Sequence, residues 1–192
     1  MPRLKKAIAG LIDRWFLDQS GFAPTLPTGY TWGRRGQRLE VPYEASQGRR
    51  VNVVGALAPF DPGGAQLRFA SRRRPDGPYD ATAHLAFVRQ LVPATSRHRP
   101  CVVVLDNYSV HHSHTVTDAL PELAAAGITF CFLPPYSPKL NPIEAVWRQI
   151  KYQDLPERSY PTDTALQTAV DAALIARAAH LYKSTKDLPR PA

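Results

Sequence analysis

The sequence predicts an α/β fold: a mixed five-stranded sheet flanked by helices. Three observations predict it. Residues 101–105, Cys-Val-Val-Val-Leu, form a continuous β-branched run, as in central strands covered on both faces. Two apolar segments, 51–57 and 66–70, flank the breakers Pro62-Gly63-Gly64 and read as an antiparallel hairpin. From residue 80 onward, helical and strand periodicities alternate, which calls for crossover connections and helices on the sheet faces.

The elements follow in order. Trp15-Phe16-Leu17 is a short strand ending at Asp18, because Ser20, Gly21, Pro24 and Pro27 come next. Residues 28–49, rich in Gly, Arg and aromatics, form a hairpin or long loop. A helix capped by Asp80 or Thr82 runs to Leu91, with Leu85, Val88 and Leu91 on one face. After the central strand comes a polar, His-rich turn. A helix over 115–126 is stopped by Gly127. Residues 129–133 form the fifth strand, ended by Pro134-Pro135. A helix over 142–153 follows. The last helix, 163–181, buries Leu166, Val170, Ala173, Leu174 and Leu181. Residues 1–182 make one domain, and 183–192 form a disordered basic tail.

Composition narrows the function. The chain has 192 residues, is 44% hydrophobic and carries a net charge of +8. That length suits one domain with a real core, and the apolar fraction excludes a disordered chain. No apolar run reaches the roughly 18–20 residues of a membrane span. Cys101 and Cys131 lie in apolar stretches and read as buried thiols of a cytoplasmic protein. The charge is lopsided: residues 1–100 hold 16 Lys+Arg and 7 Asp+Glu, residues 101–192 hold 8 and 9. Arginines cluster at 34, 35 and 38, at 49 and 50, at 72–74, and at 97 and 99. Such clusters suit phosphate contacts, although each alone could be a solvated surface.

Asp18 and Asp106 each follow an apolar strand, where ligands gather at the carboxyl ends of strands. Two acids at matching ends of neighbouring strands form a natural divalent-cation site. The third acid follows from helix geometry. Asn141 suits an N-cap and Pro142 a first helical position. Ile143, Val146, Trp147 and Ile150 then face the core, and Glu144, Arg148 and Lys151 form a separate stripe. Glu144 could complete a capping box with Asn141 and pair with Arg148, or it could point at the two aspartates. In the second arrangement Arg148 and Lys151 hold nucleic-acid phosphates. Three carboxylates suit Mg²⁺. Two such ions, about 3.5–4 Å apart, serve phosphodiester displacement by assisting both the attacking and the leaving oxygen.

Two stretches carry a resemblance: Val-Leu-Asp-Asn-Tyr-Ser-Val-His (104–111) and Phe-Leu-Pro-Pro-Tyr-Ser-Pro-Lys-Leu-Asn-Pro-Ile-Glu-Ala-Val-Trp (132–147). With Phe-Leu-Asp-Gln-Ser-Gly-Phe (16–22) and Gly-Tyr-Thr-Trp-Gly-Arg-Arg-Gly-Gln (29–37), they resemble the catalytic core of DDE transposases. The group resembled is the mariner-related bacterial one named for insertion sequence 630. The resemblance implies a ribonuclease-H-like fold, two Mg²⁺ ions with Mn²⁺ as a substitute, and cutting of double-stranded DNA at transposon ends. It also implies strand transfer into target DNA by the freed 3′-hydroxyl. Carried over, the catalytic and metal-binding residues are Asp18, Asp106 and Glu144.

Around them, Asn107 is expected to orient the second carboxylate or nearby backbone, and His111 to touch phosphate or a metal-bound water. Asn141 supports the third acid. Tyr136, Ser137 and Lys139 lie on a Pro-rich wall before it. Tyr30 and Trp32, interleaved with Arg34 and Arg35, either stack on bases or fill a small hairpin core. Lys139, Arg148 and Lys151 complete the expected DNA contacts. Gln19 stands where the family usually has Glu. Only 17 residues precede Asp18, too few for the family's helix-turn-helix modules. The expectation is therefore a partner of that kind encoded upstream, with homo-oligomers on DNA and no membrane association. A truncated, non-catalytic DNA-binding remnant or regulatory partner is the competing reading.

Overall fold

The computed structural model describes residues 11–24, 34–38, 48–91, 99–135, 137–155 and 160–187. Five strands, β1 (Asp13–Phe22), β2 (Val51–Ala58), β3 (Gln66–Arg73), β4 (Cys101–Leu105) and β5 (Ile128–Phe132), form one sheet in the order β3-β2-β1-β4-β5. The first three strands pair antiparallel, and β4 and β5 join parallel to β1. The mixed five-stranded sheet is the one expected.

Among the described residues, four α-helices cover it: α1 (Ala81–Leu91), α2 (His114–Ala125), α3 (Ile143–Gln149) and α4 (Asp163–Thr185). The two-residue period of the strands sorts the core into two layers. Trp15, Leu17, Val54, Ala56, Val103 and Leu105 pack under α1 and α2 with Leu85, Val88, Leu91, Val116 and Leu123. Phe22, Val51, Val53 and Leu57 pack under α3 and α4 with Ile143, Trp147, Ile150, Leu166 and Leu174. Asp80 caps α1 as expected, its Oδ1 accepting from the Ala83 N–H at 2.8 Å. Gly127 ends the α2 connection at φ +85°, a conformation that favours glycine.

Four expectations need correction. First, β1 does not stop at Leu17. Ser20, Gly21 and Phe22 pair with Val53, Asn52 and Val51, so ladder hydrogen bonds override the local breaker signal. Second, Cys131 is only half-buried, because β5 is an edge strand; Cys101 is buried. Third, α3 passes into a π-turn over Ile150–Asp154. The Arg177 Nε donates to Asp154 Oδ2 at 2.8 Å and pins that turn to α4. Fourth, α4 continues through Lys183, Ser184 and Thr185, so a disordered tail does not begin at Lys183. The Thr185 hydroxyl accepts from the Ala65 N–H at 2.6 Å and ties the helix end to the β2–β3 turn.

Candidate active site

The register of β1 and β4 assembles the first half of the site. Their last pair is Phe16 with Val104. Two residues further along each parallel strand stand Asp18 and Asp106, on the sheet face to which Phe16 and Val104 point. Asp106 lies just past the end of β4, as expected. Asp18 lies inside β1, opposite Gly55 of β2.

Helix α3 brings the third acid. Its apolar stripe, Ile143, Val146, Trp147 and Ile150, is buried, and Glu144 is turned out beside it. No side-chain capping bond forms at this helix start. The Asn141 amide instead reaches across to β1, its Nδ2 donating to the Leu17 carbonyl at 3.2 Å. The capping-box geometry expected for Asn141 and Glu144 is therefore not adopted. Asn141 fastens the helix start one residue before Asp18, and Glu144 is exposed to the cleft.

Asp18, Asp106 and Glu144 all line one cleft of about 430 Å³, with Asn107, Tyr108, Ser137 and Asn141. Pro134, Pro135 and Pro138 supply its wall. Among the described residues, no three His, Cys, Asp or Glu side chains are gathered tightly enough to hold a metal ion as they stand. The acids share a cleft rather than a finished coordination sphere.

The two aspartates live in different surroundings. Burial pushes the Asp18 carboxyl up to about 7, and the charges of Glu144 and Asp106 add to that rise. The Gln19 backbone and the Trp147 indole oppose it by donating hydrogen bonds. The Trp147 Nε1–H donates to Asp18 Oδ2 at 2.9 Å. Asp106 is 56% exposed at its side chain, and its Oδ1 accepts from the Tyr108 N–H at 3.1 Å.

His111 is not at the cleft surface. Its ring is buried, with Nδ1 3.1 Å from the Asp106 carbonyl oxygen and 3.3 Å from Oδ1. It braces the turn that carries Asp106 from behind. Behind it the buried His84 ring lies 4.6 Å away, centroid to centroid, and the Tyr79 hydroxyl is 3.2 Å from His84 Nδ1. Burial lowers the pKa of both histidines, that of His84 to about 3. Asn107 donates from Nδ2 to the Leu133 carbonyl at 2.6 Å. It thus orients backbone, one of its two expected roles.

Next to the acids runs a second, basic cleft of about 580 Å³, lined by Lys139, Glu144, Trp147, Arg148, Lys151 and Tyr152. Lys139 and Arg148 are exposed. Lys151 is half-buried, with Nζ 5.3 Å over the Phe22 ring. Burial lowers its pKa, and the Glu144 charge works against that lowering. Arg34 and Arg35 are exposed on a turn closed by the Gln37 N–H to Arg34 carbonyl bond. Tyr30, Trp32 and Tyr136 lie outside the described residues.

Sequence reasoning missed Trp147 as a partner of Asp18, taking it for core alone. The available signal was Gly55, a lone glycine in an apolar strand, which marks close approach. It also missed His84, whose place in an amphipathic helix carried no such signal.

The mixed five-stranded sheet flanked by helices is a ribonuclease-H-like fold. Residues 13–167 match the family model described as "DDE superfamily endonuclease". The chain belongs to that family. Its fold is similar to the Mos1 strand transfer complex (18% identity, TM-score 0.62, covering 94% of this chain and 52% of that one). It is similar also to the Mos1 mariner paired end complex with Mn (16%, 0.64, 94% and 53%). A third similar structure is the simian T-cell lymphotropic virus intasome with PP2A regulatory subunit B56 gamma (14%, 0.54, 95% and 59%). The chain therefore spans about half the length of these structures. No curated protein matches it. Among the described residues no helix is long and apolar enough to cross a membrane.

Proposed function

We propose that this chain is the catalytic domain of a DNA transposase of the mariner-related group named for insertion sequence 630. In this reading it cuts double-stranded DNA at transposon ends and joins the freed 3′-hydroxyl to target DNA. Asp18, Asp106 and Glu144 are its catalytic residues. The observation that carries the proposal is the meeting of these acids, from three separate elements, in one cleft beside a basic one.

The donor chemistry fits a divalent ion. All three side chains offer hard oxygen atoms, the set that Mg²⁺ and Mn²⁺ accept. Asp18 is raised toward neutrality by burial and by its two acidic neighbours, a cost that a bound cation would relieve. Asp18, Asp106 and Glu144 would hold the ions, two Mg²⁺ in the full site. When bound, such ions polarise the phosphodiester and assist both the entering and the leaving oxygen.

The remaining roles fall to the protein. Lys139, Arg148 and Lys151 neutralise phosphates along the strand entering the cleft, and Arg34 and Arg35 extend that grip. Tyr30 and Trp32 stack on bases. The proline wall limits the approach of DNA to the face where the acids stand. Asn107, His111 and Asn141 position the acid-bearing segments. Recognition of the terminal repeat falls to helix-turn-helix modules, and the active form on DNA is a homo-oligomer.

The test is nicking of supercoiled plasmid DNA with Mg²⁺ or Mn²⁺. Nicking should require the ion and disappear in Asp106→Ala. A protein that binds DNA but never nicks it, under any divalent ion or with helix-turn-helix modules supplied, would be the non-catalytic remnant instead.

A further inference from the structure

We infer that Trp147 is a positioning residue for Asp18, and that Gly55 exists in β2 to let it be one. The inference rests on the reading above, in which Asp18 helps to hold a divalent ion.

The contact is built from three elements. Gly55 of β2 stands opposite Asp18 of β1. A Cβ at position 55 would lie 2.4 Å from Trp147 Cη2 and 2.8 Å from Cζ2. The benzo edge of the indole therefore occupies the space that a side chain at position 55 would fill, beside the acid. From there its Nε1–H reaches Asp18 Oδ2 at 2.9 Å. Phe22 meets the ring edge-on at 6.4 Å and 82°, and Asn141 anchors the helix start to Leu17. Trp147 is 2% exposed, so it has no freedom to swing away.

A core tryptophan can bury its ring without a partner for the indole. Trp15 does so on the other face of the same strand, its Nε1 buried and without a hydrogen-bond partner among the described residues. Trp147 is different. Its N–H restrains one carboxylate oxygen of Asp18 and so limits the rotamer with which the acid meets an ion. Glu144 and Trp147 are three residues apart on α3 and lie on adjoining sides of one helix. The segment that carries one ligand thus also holds another in place.

Calorimetric Mg²⁺ titration of wild type, Trp147→Phe, Gly55→Ala, Trp15→Phe and Asp106→Ala tests this, with thermal melting of each. Binding by wild type that is lost in Asp106→Ala upholds the metal site itself; its absence overturns that reading first. Given binding, Trp147→Phe should weaken affinity about 10-fold, the usual scale for a group supporting a ligand. Gly55→Ala should do the same by displacing the indole, and should add little in the Trp147→Phe background. Trp15→Phe should lower the melting temperature with affinity unchanged. Wild-type Mg²⁺ affinity in a folded Trp147→Phe protein would overturn the inference. Should that variant not fold, the Trp15→Phe, Trp32→Phe protein leaves Trp147 as the sole tryptophan. Its emission should then change on Mg²⁺ saturation, and an unchanged spectrum would overturn the inference equally.

Discussion

The surroundings of Asp18 and Asp106 solve one problem in opposite ways. Asp18 sits within a strand, largely buried, and is steadied by a donor from a distant helix. Asp106 sits past a strand end, open to solvent, and is steadied by its own turn through the Tyr108 N–H and His111. Burial fixes the first acid at an electrostatic cost. The second stays exposed, and the histidines behind it are the buried titratable groups on that side. Each carboxylate is held by a donated hydrogen bond, one from a packed indole and one from its own turn.

Four predictions test this contrast. The largest effect treats the two acids alike: Asp18→Ala and Asp106→Ala should each reduce metal-dependent nicking by about 10³-fold or more. An equal, small loss in both would remove the reason for comparing them.

Next in size is the packing on the Asp18 side. Trp147→Ala should cost about 3–5 kcal/mol in denaturant unfolding, because a fully buried ring filling the space over Gly55 is lost. Tyr108→Ala, at an exposed ring beside Asp106, should stay within about 0.5 kcal/mol of wild type.

The third prediction concerns the charge of Asp18. The Asp18 pKa in the folded state, about 7, lies above its ordinary value of 3.8. Between those values the folded protein keeps a proton that the unfolded chain has released. The contribution of this group is favourable in acid and is lost as pH rises through about 7. Asp18→Asn should therefore raise stability by about 1–2 kcal/mol at pH 8, allowing for screening through the open cleft, with the gain vanishing toward pH 4. Urea midpoints across pH 4–8 decide it.

The smallest effect has the opposite sign. Burial holds the His84 pKa near 3, below its ordinary 6.5. Its contribution is present above pH 6.5 and is lost as pH falls toward 3. A His84→Gln variant should lose about 1 kcal/mol less stability than wild type between pH 7 and pH 5. The same urea series reads it.

Much of this was legible beforehand, and particular residues show why. The run at 101–105 announced a buried central strand, because β-branched residues without alternation suit a strand covered twice. The stripe Ile143, Val146, Trp147 and Ile150 announced the buried face of α3 and, by subtraction, the exposure of Glu144. The end of β1 was misjudged because Ser20 and Gly21 are breakers only until a neighbouring strand supplies their ladder bonds. The burial of His111 was not legible because a polar turn looks exposed until α1 and its His84 are packed against it.

Local pattern alone thus specified the mixed sheet, its helices, the two aspartates near strand ends and the excess of arginine, since each depends on residues near in sequence; it left Glu144 open between a helix cap and the cleft. Packing decided the rest. Residues 18 and 55, 111 and 84, and 141 and 17 meet only when strands and helices far apart in the chain are brought together. Which acid is buried, which oxygen is tied and which histidine turns inward are properties of those meetings, and no local periodicity encodes them.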